Sequence, residues 1–372
     1  MPHIVKEAEL VATIKKTKKA LLIEPSYTRK YLPLGLAKIA TAIKENGGSV
    51  IYSRYWPPDD YDTIFVTSLF TYDSKKVHEA IPRMLFMSPK KPLVYLGGVY
   101  ASLMPEHAME ATDANIFEGC SSFLDQHPPD YTIDWQLKNP WDKFSYCFTS
   151  RGCPNKCPYC AVWRLEPKLH IIDGWEKHIN LDKPYIMISD NNLSSQPIEH
   201  FENVVRFIYD SKKTVLFNNG FDCKHITPSI AKMLGKLKFL AGGGMRVAFD
   251  RIEEDGVLQQ AVRLLIENGV KKSGILSFVL FNFMDKPQEA NYRMMECLKL
   301  GIRPYPQQYT PLNQTSRKST YIGKYWTKNL RDSFRFFWLM AGYYTKMSFM
   351  EFIQQTDRYE LTSEDIDVWN TN

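Results

Sequence analysis

The sequence has 372 residues, 44% of them hydrophobic, and a formal net charge of +6. That length favours two or three domains, each with its own core, and the composition excludes collagen-like, low-complexity and disordered classes. The mild positive excess permits an anionic ligand or nucleic acid without requiring either.

Residues 1–20 carry Lys6, Lys15, Lys16, Lys18 and Lys19 and no apolar core ahead of a small-residue cleavage site, so no secretory signal is expected. Residues 336–345 are uncharged but too few to span a bilayer. The expectation is a cytoplasmic protein with no membrane partner. The seven cysteines are odd in number and three of them crowd together, unlike a secreted disulfide scaffold. In a reducing compartment, clustered thiols point to metal.

In chain order, the first predicted strand is 20–24, an apolar run stopped by Pro25. An amphipathic helix over 34–46 is closed by Gly47 and Gly48. Strands follow at 49–52 and 63–68, then a helix at 73–87, a strand at 93–96 ending in Gly97 and Gly98, and a strand at 115–117. This alternation implies an α/β fold that begins with a Rossmann-like parallel sheet over 1–125, helices on both faces and ligands at the carboxyl ends of the strands.

Pro128, Pro129 and Pro140 mark a linker over 126–144. A second series of strands is predicted at 145–149, 185–189, 214–218, 245–249, 274–281 and 303–305. With intervening helices it makes a partial (β/α)6 barrel over 145–320, short of a full eight-stranded barrel. Residues 321–372 form a helical C-terminal region with an aromatic helix around 326–352, including Phe334, Phe337, Trp338 and Phe349. Packing against the barrel is its plainest role. A dimer surface or a stacking platform for nucleic-acid bases are the alternatives.

The most informative stretch is Arg151-Gly152-Cys153-Pro154-Asn155-Lys156-Cys157-Pro158-Tyr159-Cys160, just after the first strand of the second series. Its Cys-x3-Cys-x2-Cys spacing puts three thiolates on one loop, enough for three irons of a cubane. The fourth iron then keeps an open position, as chemistry needs and structural sites lack. The alternative is zinc with a remote fourth ligand such as Cys147 or His170, although no second Cys-x2-Cys hook is present.

This loop, with an aromatic residue just before the third cysteine, resembles the radical SAM superfamily. The resemblance implies a [4Fe–4S] cluster held by Cys153, Cys157 and Cys160, with Tyr159 near the adenine of S-adenosylmethionine (SAM). It implies an external electron donor such as flavodoxin or ferredoxin, and reductive cleavage of SAM to a 5′-deoxyadenosyl radical that takes hydrogen from substrate. The run from Tyr185 to Asn192 is similar to the second barrel strand of cobalamin-associated members. Many members have Gly-Gly-Glu there to bind the SAM amino group, and this sequence has Asp190-Asn191-Asn192. Asp190 can accept from an ammonium, and Asn191 or Asn192 can do so through an amide oxygen. Each can equally cap a helix. Asn218, Asp250 and Arg251 stand at further expected strand ends and are candidates for SAM or substrate contacts, Arg251 as the partner of a carboxylate or phosphate. Any one of them can instead stabilise its own loop. Cys223 is either a hydrogen-atom donor or a small buried hydrophobe.

Leu22-Ile23-Glu24-Pro25, Leu32-Pro33-Leu34-Gly35-Leu36, Leu96-Gly97-Gly98-Val99 and Phe117-Glu118-Gly119 resemble a cobalamin-binding domain over about 19–125. The Asp-x-His-x-x-Gly signature that supplies a cobalt ligand is absent, and Ser26-Tyr27-Thr28-Arg29-Lys30 follows the first strand. That departure argues against a requirement for cobalamin. Gly97 and Gly98 either admit a nucleotide tail or end a strand. Three readings stand: a radical SAM enzyme on an unidentified substrate, a cobalamin-dependent radical SAM methyltransferase, and a non-catalytic nucleic-acid- or protein-binding module with a structural metal.

Overall fold

The computed structural model describes all residues except 28–30, 56, 58, 88–90, 356–360 and 371–372. Thr28, Arg29 and Lys30, part of the stretch standing where a histidine signature would fall, therefore lie outside the described residues. The chain divides into two compact units, Met1–Met187 with Leu312–Ser319, and Ile188–Pro311 with Thr320–Asn372.

Helix α1 (Glu7–Lys16) opens the first unit, with Leu10 and Ile14 buried one turn apart. Glu7 and Glu9 in its first turn and Lys15 and Lys16 in its last complement the helix dipole. The sheet that follows is parallel throughout: β1 (Lys19–Ile23), β2 (Ser49–Ser53), β3 (Thr63–Ser68), β4 (Leu93–Gly98) and β5 (Asn115–Ile116), in the order β2-β1-β3-β4-β5. The helices are α2 (Leu34–Glu45), α3 (Ser74–Met87), α4 (Val99–Leu103) and α5 (Pro105–Thr112). The strand order reverses direction after β2, so right-handed crossovers put α2 and α3 on opposite faces.

The inner strands β1 and β3 are buried on both sides, as a covered parallel sheet requires, while the edge strand β2 is partly exposed. Leu21, Ile23, Ile64, Val66, Val94 and Leu96 share one core with Val77, Tyr100 and Ala108. Ala20, Leu22, Phe65 and Tyr95 alternate with them and are also buried. The five strands anticipated from sequence are all present. Helices α1, α4 and α5 are additional.

The second series comprises β6 (Phe144–Cys147), β7 (Ser150–Arg151), β8 (His170–Ile171), β9 (Tyr185–Ile188), β10 (Thr214–Phe217), β11 (Lys238–Phe239), β12 (Met245–Ala248), β13 (Ile275–Phe281) and β14 (Arg303–Gln308). Among the described residues these strands hydrogen-bond as a four-stranded sheet, β11-β10-β9-β6, a three-stranded sheet, β12-β13-β14, and the pair β7-β8. Among the described residues, no ladder closes them into one ring. The last strand runs three residues past its expected end. Pro304 and Pro306 suggest a stop, but β14 is an edge strand, where prolines two apart can turn their missing N–H groups outward.

The helices of this part are α6 (Val162–Leu165), α7 (Ile198–Ser211), α8 (Pro228–Leu234), α9 (Val257–Glu267) and α10 (Pro287–Lys299), then α11 (Lys328–Leu339), α12 (Ala341–Tyr344), α13 (Phe349–Gln355) and α14 (Ser363–Asn370). The single aromatic helix expected around 326–352 is thus three helices. Met340 takes extended backbone angles, φ −107° and ψ 95°, and breaks the run. Phe334, Phe337, Trp338, Phe349 and Phe352 are buried, and Phe334 packs on Phe281 of β13 with ring centroids 5.0 Å apart. Among the described residues, no helix is long and apolar enough to cross a membrane.

Candidate functional site

The antiparallel pair β7-β8, with Ser150 opposite Ile171 and Arg151 opposite His170, forms the base of the loop that carries Cys153, Cys157 and Cys160. Gly152 starts the loop at φ +81°. A Cβ there would lie 2.5 Å from the Lys168 carbonyl oxygen, so backbone packing and conformation both demand glycine. The Gly152 N–H donates to Glu166 Oε2 at 2.8 Å. Farther along, the Cys160 N–H and Trp163 Nε1 both donate to the Cys157 carbonyl, at 3.0 and 3.1 Å. The Val162 N–H points at Cys160 Sγ from 3.5 Å. All three cysteines are half-buried, Tyr159 lies between the second and third, and no disulfide joins any of them.

A buried charge network fixes the loop's entry. Arg151 donates to both carboxylate oxygens of Asp125, Nη2 to Oδ1 at 2.8 Å and Nε to Oδ2 at 3.1 Å. Its Nη1 reaches Glu166 at 3.3 Å, and its guanidinium lies 3.9 Å from the Phe148 ring centroid. Lys38, from α2, donates to the same Asp125 at 2.7 Å. Burial works to raise the Asp125 carboxyl, but Arg151 and then Lys38 overcome it and hold the group down at about 2. Burial pulls the Lys38 ammonium below its ordinary value, against the attraction of Asp125. His178 is also 1% exposed, and neither ring nitrogen has a hydrogen-bond partner. Burial, then the charge of Lys38, pushes its pKa down to about 3, so the ring is neutral. Composition and spacing gave no sign of Asp125, Glu166, Lys38 or His178. The one legible signal was Arg151-Gly152 immediately before Cys153.

In the second unit, the other candidate residues lie at the carboxyl ends of successive strands. Asp190, Asn191 and Asn192 follow β9, Asn218 follows β10, and Asp250 and Arg251 follow β12. Asp190 and Asn192 are buried. Asn192 leads into a turn of 3-10 helix, and its side-chain oxygen accepts from the Ser194 hydroxyl at 2.9 Å. Asn219 laces the first two strand ends together through its Nδ2, which donates to Ser189 O at 2.7 Å and Asp190 O at 3.3 Å. Asn218 accepts from Arg246 Nη1 at 2.9 Å through its side chain. The Asp250 N–H donates to Glu254 at 3.0 Å, while Arg251 is exposed and reaches the same Glu254 at 3.4 Å.

Sequence reasoning missed Arg293, which is fully buried. It donates to the carbonyls of Phe249, Asp250 and Leu280 at 2.8–2.9 Å and to Asp285 at 2.6 Å. It thereby holds the ends of β12 and β13 side by side. Cys223 is buried, its thiol is raised by burial, and Sγ faces the Ala248 carbonyl at 3.7 Å.

Among the described residues, no group of three or more His, Cys, Asp or Glu side chains comes together as the ligands of a single ion would. A cubane asks for a different spacing: each cysteine reaches its own iron at a separate corner, so the sulfurs stand apart. At the first sheet, a Cβ on Gly98 would lie 2.0 Å from the Ser68 carbonyl oxygen. The neighbouring strand itself therefore demands that glycine.

No family model and no curated protein matches the chain. Among solved structures, one described as the apo, selenomethionine-labelled cobalamin-dependent S-adenosylmethionine radical enzyme OxsB is similar to it at 11% identity with a TM-score of 0.44. The similarity covers 79% of this chain and 49% of that one, so the chain spans about half the length of the structure it matches.

Proposed function

We propose that this chain is a radical SAM enzyme acting on an unidentified substrate. The observation that carries the reading is the loop from Gly152 to Cys160, with three half-buried thiols, none in a disulfide, on a backbone fixed at its entry. That donor set fits a [4Fe–4S] cluster with one iron left open to SAM. The cluster, when bound, supplies the electron that cleaves SAM to methionine and a 5′-deoxyadenosyl radical.

The chain's own part is to hold and orient. Cys153, Cys157 and Cys160 bind three irons, and Tyr159 lies beside the adenine. The Val162 N–H at 3.5 Å from Cys160 Sγ favours the thiolate. Asp125 and Glu166 grip Arg151 and Gly152, so the loop enters its turn in one conformation. Asp190, Asn191, Asn192, Asn218, Asp250 and Arg251 contribute SAM and substrate contacts from the strand ends, where α/β enzymes bind ligands. In this reading residues 1–125 are a cobalamin-binding-like module, 145–320 hold the cluster and SAM as a partial barrel, and 321–372 cover it. Flavodoxin or ferredoxin supplies the electron in the cytoplasm. Cobalamin is not required, because the histidine signature is missing.

The test is anaerobic reconstitution with iron and sulfide, reduction with dithionite, and mass spectrometry for 5′-deoxyadenosine from added SAM, beside Cys157→Ala. Turnover in the wild type and none in the variant is expected. If the wild type takes up no iron, the assignment is wrong. If a loaded cluster leaves SAM intact with and without cobalamin, the reading as an active SAM-cleaving enzyme fails.

A further inference from the structure

In the second unit, the C-terminal end of α7, the turn between it and β10, and the segment 236–238 between α8 and the start of β11 surround a cavity of about 260 Å³. Lys212, Lys213, Lys236 and Lys238 line it, opposed by Asp210, a net of three positive charges (four minus one). None of the four lysines is held in an ion pair among the described residues. Tyr209, 55% exposed, presents a ring at the same cavity.

Helix C-termini attract cations, and two helices end here, so one or two lysines would need no further reason. Four exceed that demand. Lys238, the first residue of β11, is in register with Thr214, the first of β10, so Lys213 immediately precedes the neighbouring strand. Lys212 sits in the left-handed region at φ 56°, a helix-ending position that glycine or asparagine usually takes. A concave surface with this net positive charge attracts an anion. The volume suits a chain of phosphates rather than a whole drug-sized ligand. An exposed aromatic ring beside a basic groove is the pattern that receives a nucleobase.

We propose that this cavity binds the polyphosphate of a nucleotide, with the base stacked on Tyr209. The site is independent of the cluster chemistry proposed above, and nothing in its test depends on SAM cleavage.

The experiment is calorimetric titration of the reconstituted full chain with tripolyphosphate, ATP, orthophosphate and a single-stranded RNA oligomer, at low and at physiological salt. Tripolyphosphate and ATP should bind, ATP more tightly, and orthophosphate at least tenfold more weakly than either. Lys213→Gln with Lys238→Gln should weaken both ligands at least tenfold and flatten the salt dependence. Lys212→Gln with Lys236→Gln provides an independent pair should the first variant fail to fold. Tyr209→Ala should weaken ATP alone. No binding of tripolyphosphate or ATP to the wild type overturns the proposal, as does binding that both well-folded double variants retain. RNA binding without ATP binding would overturn the nucleotide assignment in favour of a nucleic-acid backbone.

Discussion

Gly152 makes the sharpest demand in the cysteine loop. Its φ of +81° is unfavourable for any side chain, and a Cβ would stand 2.5 Å from backbone at Lys168, which has no rotamer with which to retreat. Placing a side chain there combines strain of about 1–3 kcal/mol with a steric displacement of β8. Gly152→Ala should therefore shift the loop itself, while the α/β core keeps its far-ultraviolet dichroism. The readout is iron and sulfide per chain after reconstitution, expected to fall to less than half of wild type. Wild-type loading in Gly152→Ala would show that the entry conformation is not needed for the cluster. The same residue illustrates what sequence can convey. Arg151-Gly152 next to Cys153 is visible as a motif, but its reason is not, since Glu166 and Lys168 meet the glycine only where the chain turns back to lay β8 beside β7.

Elements were legible in proportion to their apolar pattern. Strands β1, β3, β4 and β13 are five to seven residues long with runs of at least three buried side chains, and glycine or proline punctuates several of their ends, so their positions follow from the sequence. Helix α1 was missed because it buries only Leu10 and Ile14, too few to rise above the charged residues around them. Strands β7, β8 and β11 have two residues each, below the length at which alternation is measurable. Arg293 lay beyond sequence reasoning because its value is tertiary: one guanidinium on α10 satisfies three carbonyls at two strand ends and the Asp285 carboxylate. Arg293→Met should remove about 3–5 kcal/mol by leaving those acceptors buried and unmatched. Phe334→Ala, which opens a cavity between α11 and β13, should cost a similar 3–5 kcal/mol. Urea unfolding of both variants gives the comparison. A loss under 1 kcal/mol for Arg293→Met would mean that water replaces the guanidinium at the strand ends.

At the scale of the whole molecule, the buried ionisable groups set how the fold responds to acid. His178 has a pKa of about 3 in the fold against an ordinary 6.5, so it is neutral when folded and takes up a proton when unfolded below pH 6.5. Its contribution favours the folded state fully above pH 6.5 and is lost progressively as pH falls from 6.5 towards 3. At pH 5 the loss is about 2 kcal/mol, from one and a half units at about 1.36 kcal/mol each. Asp125 acts in a lower window. Its carboxyl, held at about 2 against 3.8, stabilises the fold above pH 4 and ceases to do so as pH falls to 2. The two windows separate the groups experimentally. Because neither His178 nitrogen has a hydrogen-bond partner, His178→Leu removes no hydrogen bond and keeps an apolar side chain of comparable bulk in the site. Its stability at pH 7.5 should lie within about 1 kcal/mol of wild type, while the drop between pH 7.5 and pH 5 shrinks by about 2 kcal/mol. Asp125→Ala should instead destabilise at both pH values, by about 3–5 kcal/mol, because Lys38 would be left in a buried site without its carboxylate and Arg151 would keep only Glu166. Denaturant melts of the three proteins at the two pH values decide the matter. An unchanged acid response in His178→Leu would mean that the ring is protonated in the fold, shared with Asp125 through a path the direct contacts do not provide.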